Sequence, residues 1–217
     1  MLKDSKSYHY LKSFLSFLMV VFCHNFYAQN DLLFEAQKLC KDKKYDLAIT
    51  MLDKTIVHPE TQNDPASWYT RSFAYFHVYK QAGQYNTLKL SELDTALSSA
   101  LMSVKLDTAK TYINENNSII KNGAIYYYKI STVLLQDSLD YLKSEKFYDK
   151  YKKYTAMIDP AFDFKQKDIN YYNTTGGIFA DKYMKNNFNQ KYGDVAKNAL
   201  LKVLELDSKN ISANINL

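Results

Sequence analysis

"LKVLELDSKNISANINL", residues 201–217, ends one helix and begins another. Leu200, Val203, Leu204 and Leu206 recur at helical spacing and form one apolar face. Asp207, Ser208, Lys209 and Asn210 follow as a polar break of residue types that cap helices and start turns. Ile211 to Leu217 then read as the opening turns of a further helix. The same order of events recurs upstream. "TIVHPE" at 55–60, "SVKLDTAK" at 103–110 and "AMIDPAF" at 156–162 each close an apolar-periodic stretch with a short polar stop. Three of the stops pair an aliphatic residue with an aspartate: Leu106-Asp107, Ile158-Asp159 and Leu206-Asp207. Those aspartates stand 52 and 48 residues apart, and His58 lies 49 before the first. A period near 50 along the chain is the mark of a repeat array.

Each period holds two helical stretches. Leu32, Leu33, Ala36 and Leu39 make one face, and Ala48, Ile49, Leu52 and Ile56 the next. Helices are predicted over 68–79 and 93–106, with a connection at 81–91 between them. Further pairs are expected over 119–135 with 141–158, and 169–188 with 195–206, Gly193-Asp194 marking the last turn. Small residues sit in the second helix of three of the four pairs: Ala48, then Ala96 and Ala100, then Ala196 and Ala199. Small side chains let two helix backbones approach closely. The expected fold is all-α, a stack of antiparallel helix hairpins.

"KKYDLAITMLDKTI" (43–56), "ASWYTRSFAYFHV" (66–78) and "AKNALLKVLELDSKNISANINL" (196–217) resemble tetratricopeptide repeats. That family places an aromatic and a small residue in the first helix, a Tyr before the turn's end and an Ala in the second helix. It closes on an aliphatic-Asp-Pro stop. Those roles fall here to Leu32, Ala36, Tyr45, Ala48 and Pro59, to Trp68 and Ser72, and to Tyr172, Gly176, Ala196, Leu206 and Asp207, with Ser208 in place of Pro. The first repeat has about the family's 34 residues, and the other three are longer by roughly 12 to 18. The resemblance implies a right-handed solenoid of about four hairpins over 29–217, plus a C-terminal stub helix. It also implies a concave, partner-binding surface built from the first helices. Gln37 and Lys41 face that groove in repeat one, and Tyr69, Phe73, Phe76 and His77 in repeat two. The alternative for Tyr69, Phe73 and Phe76 is a place in the core. Asn170 and Asn173 could clamp a peptide backbone through their amides; for Asn170 a helix cap is the favoured reading.

Residues 1–28 belong to a different category. Lys3, Lys6 and Lys12 precede an apolar run of 11 residues, Ser13 to Cys23, and "NFYAQ" offers Ala28 before a cut. Length and order are those of a secretory signal peptide. The run is shorter than the roughly 20 residues of a membrane span, though a retained anchor or lipid attachment stay open. Removing three lysines and one aspartate takes the net charge from +5 to about +3. No basic stripe marks nucleic acid as a partner. Cys40 becomes the only cysteine, so there is no disulfide framework. Composition agrees with a folded helical chain: 47% hydrophobic and 24% charged residues, with only 5 Gly and 3 Pro to punctuate a β fold. The 20 Tyr suit half-buried faces, where the ring packs and the hydroxyl stays wet.

Reactive constellations are absent from the sequence. His9 and His24 leave with the signal, and neither His58 nor His77 has a metal-ligand neighbourhood. His58 reads as a cation at a helix end, and Cys40 as a small buried apolar residue. "NTTGGIF" (173–179) lacks the Lys-Ser/Thr of a phosphate loop, so Gly176 is better explained by close helix packing. Glu92 and Asp94 are first-turn acids. The expectation is therefore a non-catalytic, exported (periplasmic or secreted) interaction or scaffold protein, with no cofactor or metal and a protein or peptide partner. Two alternatives stand beside it: an envelope protein holding a glycan or hydrophobic ligand in an aromatic groove, and the sensor part of a longer signalling protein. The short last helix suggests a fourth repeat that is uncapped and self-associates or frays.

Overall fold

The computed structural model describes residues 31–83 and 87–216, so residues 1–28, read above as a signal peptide, lie outside the described residues. All regular structure among them is helical. Helix α1 covers residues 31–41. It is followed by α2 (Tyr45–Thr55), α3 (Pro65–Gln81), a 3-10 turn (Thr87–Lys89) and α4 (Leu90–Leu106). Then come α5 (Ile113–Val133), a π-helical turn (Leu134–Ser138), α6 (Tyr141–Ile158), α7 (Lys165–Lys185), α8 (Gln190–Leu206) and α9 (Ile211–Asn216). Neighbours in the chain pack on each other: α2 on α3, α3 on α4, α7 on α8, and α9 on both α7 and α8. No helix among the described residues is long and apolar enough to cross a membrane. The chain divides into two compact units within α5, one of residues up to 83 with 88–119, the other chiefly of residues from 120.

The aliphatic-Asp stops end helices as expected. Asp107, Asp159 and Asp207 are the C-terminal caps of α4, α6 and α8. Asp107 also accepts hydrogen bonds from the backbone N–H groups of Thr111 (2.9 Å) and Tyr112 (2.6 Å), which tethers the approach to α5. One turn earlier, the Ser103 hydroxyl donates to the Pro65 carbonyl and accepts from the Asn116 amide, both at 2.9 Å. A single aspartate turn thus gathers the ends of three helices.

Several boundaries differ from expectation. α3 starts at Pro65, because Asp64 accepts from the Ala66 and Ser67 N–H groups and Pro fits the first helical position. α8 starts at Gln190 rather than after Gly193-Asp194. The turn is made by Asn187 and Phe188 at positive φ, and Asn189 caps through its side chain. Gly193 lies inside α8, where a Cβ would stand 3.1 Å from the Tyr183 ring. Asn170 is no cap either: it sits inside α7, and its side-chain Oδ1 accepts from the Gln166 amide at 2.9 Å. His58 follows the end of α2, and its Nδ1 accepts from the Glu60 N–H at 3.4 Å.

In the first unit, Ala36, Leu39, Cys40, Tyr45, Ala48, Leu52, Ala74 and Val78 form one core cluster. Ala36, Ala48 and Ala74 are fully buried, as are Ala96 and Ala100 of α4. Each large aliphatic side chain sealed among them, such as Leu52, Leu93 and Leu97, contributes about 1.5–3 kcal/mol. Arg71 ties three helices together, its guanidinium donating to Asp53 on α2 (2.7 Å) and Ser99 on α4 (2.6 Å). Tyr75 donates to the other Asp53 oxygen at 2.9 Å.

The second unit has a core built from tyrosine. Tyr148 and Tyr171 stack at 4.0 Å with a 4° tilt. Tyr127 stacks between Phe147 (6.0 Å) and Tyr154 (5.7 Å). A buried hydroxyl is costly unless bonded. Tyr148 donates to Asp168, which Lys152 also holds, and Tyr171 shares a 2.8 Å hydrogen bond with Ser144. At the α7–α8 contact, a Cβ on Gly176 would lie 2.5 Å from the Leu200 side chain, whereas one on Gly177 would meet open space. Ala213 anchors α9 fully buried, while Ile211 and Ile215 remain exposed.

The two glycines predict opposite outcomes. Both alanine variants gain about 1 kcal/mol of helix propensity, but only Gly176→Ala overpacks, at about 1–3 kcal/mol. Thermal unfolding followed by circular dichroism should place Gly176→Ala below Gly177→Ala by that difference. Equal melting temperatures would show that Leu200 does not pack on Gly176.

Candidate functional site

Four of the six residues expected at a groove meet at one cavity. It has a volume of about 240 Å³ and lies between α1 and α3 of the first unit. Gln37, Cys40 and Lys41 line it from α1, and Tyr69, Thr70 and Phe73 from α3. The spacing explains the grouping, since residues four apart share one face of a helix. Gln37 and Lys41 form one such pair, Tyr69, Phe73 and His77 a run of three. His77 lies beyond the cavity, packed on Phe73 at 4.3 Å. Phe76 is buried and does not line the cavity, so its expected place at the groove is corrected to the core. Position 76 lies on the flank of α3 toward Ser72 and Tyr79, which are buried as well.

The rings form a ladder along α3. Tyr112, just before α5, stacks on Tyr69 at 4.9 Å and 19°. Tyr69 meets Phe73 at 6.3 Å, and His77 stacks on Tyr45 at 4.8 Å and 20°. Offset and tilted contacts of this kind contribute about 0.5–1.5 kcal/mol each beyond area burial. Tyr69 and Phe73 each have a neighbouring ring on the ladder and also line the cavity. Tyr112 and Cys40 were not anticipated as part of the site. An aromatic five residues after the stop aspartate recurs as Phe164 after Asp159, and that repeat was the available signal.

Electrostatically the cavity is an apolar floor with a polar rim. Burial pushes the Cys40 thiol up to about 11, so it is neutral and a poor nucleophile. Burial first, then the charge of Glu115 and the neighbouring Tyr112 and Cys40 groups, raise the Tyr69 phenol above its ordinary range. Tyr69 is therefore a neutral hydroxyl. Thr70 is committed to the Ala66 carbonyl at 2.8 Å. The Lys41 ammonium, the Gln37 carboxamide and the Tyr69 hydroxyl, by contrast, have no hydrogen-bond or ion-pair partner among the described residues. The same is true of Lys38, one turn before Lys41.

A second cavity of about 500 Å³ lies in the other unit, where Tyr183, Met184, Phe188 and Ile215 contribute. Its Gln190 amide is already bonded to Asp194 at 2.7 Å. Asn173, considered as a peptide clamp, donates to the Asn210 side chain and so braces the α8–α9 turn. No group of three His, Cys, Asp or Glu able to hold a metal occurs among the described residues. Comparison with protein-family models, curated proteins and solved structures finds no match for the chain.

His77 makes the ladder sensitive to pH. Burial, and secondarily the charge of Lys80, hold its imidazole below the usual value of 6.5. The unfolded chain therefore takes up this proton at a higher pH than the folded one. Stability from this group is fully present above about pH 6.5 and declines as pH falls through the folded value. Urea midpoints at pH 7.5 and 5.0 should converge when His77→Phe removes the proton but keeps the ring. An unchanged difference between the two pH values would show that His77 is not coupled to folding.

Proposed function

We propose that this chain is a non-catalytic binding module of the tetratricopeptide type, in which helix pairs follow one another as a right-handed solenoid and a protein or peptide partner docks on the α1–α3 face. What carries this reading is the pairing of an apolar cavity with three uncommitted polar groups on its rim, from Gln37, Lys41 and Tyr69. None of the three is a buried unpartnered atom, so each can exchange water for a polar group of a partner. Its supports are the four helix pairs, the stops that end them and the small residues buried between them. Residues 1–28 have the order of a secretory signal, and on that sequence alone the mature protein is assigned to the periplasm or the exterior.

Two experiments test the proposal. N-terminal sequencing of the protein recovered from the cell envelope or medium should begin near Gln29; an intact Met1 chain confined to the cytoplasm would remove the export claim. For binding, Gln37→Trp plugs the cavity mouth without removing a core residue. Affinity capture from envelope extract should recover a discrete protein with the wild type and lose it with Gln37→Trp. Specific retention on a glycan or lipid array, without a protein partner, would instead favour an envelope protein with an aromatic ligand groove.

A further inference from the structure

We propose that the α1–α3 cavity recognises an acidic peptide segment, taking in one aromatic side chain of the partner while Lys41 holds a carboxylate of an adjacent residue. The inference rests on the peptide-binding reading above and narrows it to one partner chemistry.

Size is the first consideration. About 240 Å³ falls short of the roughly 300–1,000 Å³ of pockets that enclose drug-sized ligands. It suits a single large side chain. The floor is the second. Cys40, Phe73 and the ring of Tyr69 present apolar, polarisable atoms, and aromatic rings pack favourably on one another. Charge is the third. Lys38 and Lys41 lie one turn apart on the exposed side of α1, and neither is paired with a carboxylate among the described residues. The amide of Gln37 and the neutral hydroxyl of Tyr69 can also donate. Both cations therefore lie on α1, with Gln37 beside them and the Tyr69 hydroxyl across the cavity on α3, a set complementary to carboxylates and backbone carbonyls. Glu115 stands on the opposite side, by Tyr69, so the acidic part of the partner belongs toward α1.

The test uses the mature chain and fluorescein-labelled peptides blocked at the C-terminus, so that no free terminal carboxylate contributes. Fluorescence anisotropy would compare Ser-Gly-Phe-Glu-Glu-Gly-Ser with its Phe-Lys-Lys and Ala-Glu-Glu counterparts. The acidic aromatic peptide should bind about fivefold more tightly than either, the size of effect that one exposed ion pair supplies. Lys41→Glu should reverse the preference between the acidic and basic peptides, Lys41→Arg should keep it, and added salt should weaken only the acidic peptide. Equal affinity for acidic and basic peptides, both lost in Gln37→Trp, would overturn the acidic specificity and leave the peptide-binding reading standing. Capture of a protein partner through this face with no response to any of the peptides would do the same. Competition by 3-phenylpropionate at the peptide's own affinity would overturn it in favour of a small-molecule site. Failure of both the capture and the peptide experiments would reject the binding reading itself.

Discussion

Arg71 reaches from the middle of α3 to Asp53 on α2 and to Ser99 on α4, and this three-way contact sets how α3 is turned about its own axis. Tyr75 adds a second bond to Asp53, and the guanidinium lies 4.7 Å from the Tyr75 ring centre. With that side anchored, Ala74 and Val78 enter the core shared with α1 and α2. Tyr69, Phe73 and His77 then fall on the remaining side, where the cavity lies. A rotation of one residue, 100° in a helix, would carry Tyr69 away from Gln37 and Lys41. The guanidinium is only slightly exposed, so it is better shielded from solvent than an ordinary surface pair.

Small residues set the other dimension of the site. Ala36, Ala48 and Ala74 are fully buried in the core shared by α1, α2 and α3, and Tyr69 and Phe73 line the cavity next to it. The tyrosine core of the second unit follows a different rule. There the rings supply area, and each buried hydroxyl is given a partner: Asp168 for Tyr148 and Ser144 for Tyr171. Such positions resist replacement by phenylalanine and by aliphatic residues for opposite reasons. The first would strand a carboxylate or hydroxyl partner, and the second would lose the stack.

Much of the helical layout was legible because it rests on local chemistry. The stops at Asp107, Asp159 and Asp207 are caps, whose geometry depends on a few consecutive residues. The boundaries that were misjudged also have local causes. Asp64-Pro65 starts α3 earlier than its apolar residues suggest, and Gly193 looks like a turn but is a packing contact against Tyr183. Glycine marks both situations, and only the neighbour opposite distinguishes them. Tyr148, Tyr151 and Tyr154 of α6 are buried and pack on Tyr171, Tyr128 and Tyr127.

By itself, then, the sequence determined the helical class, the stops that end helices and the small residues that become buried, because periodicity, capping and side-chain size act within a turn or two. It also placed Gln37, Lys41, Tyr69 and Phe73 on helix faces, since a spacing of four residues is enough for that. Tertiary structure alone decided that those two faces meet. α3 buries Ser67, Thr70, Ser72, Ala74, Phe76, Val78 and Tyr79, residues spread around much of its circumference. A helix enclosed on several sides has no single apolar stripe, so its sequence does not tell groove from core. Phe76 and Tyr69, seven residues apart, lie on nearly the same side of α3, so what separates the buried ring from the cavity ring is the packing at two levels about 10 Å apart along the helix, which no local pattern encodes.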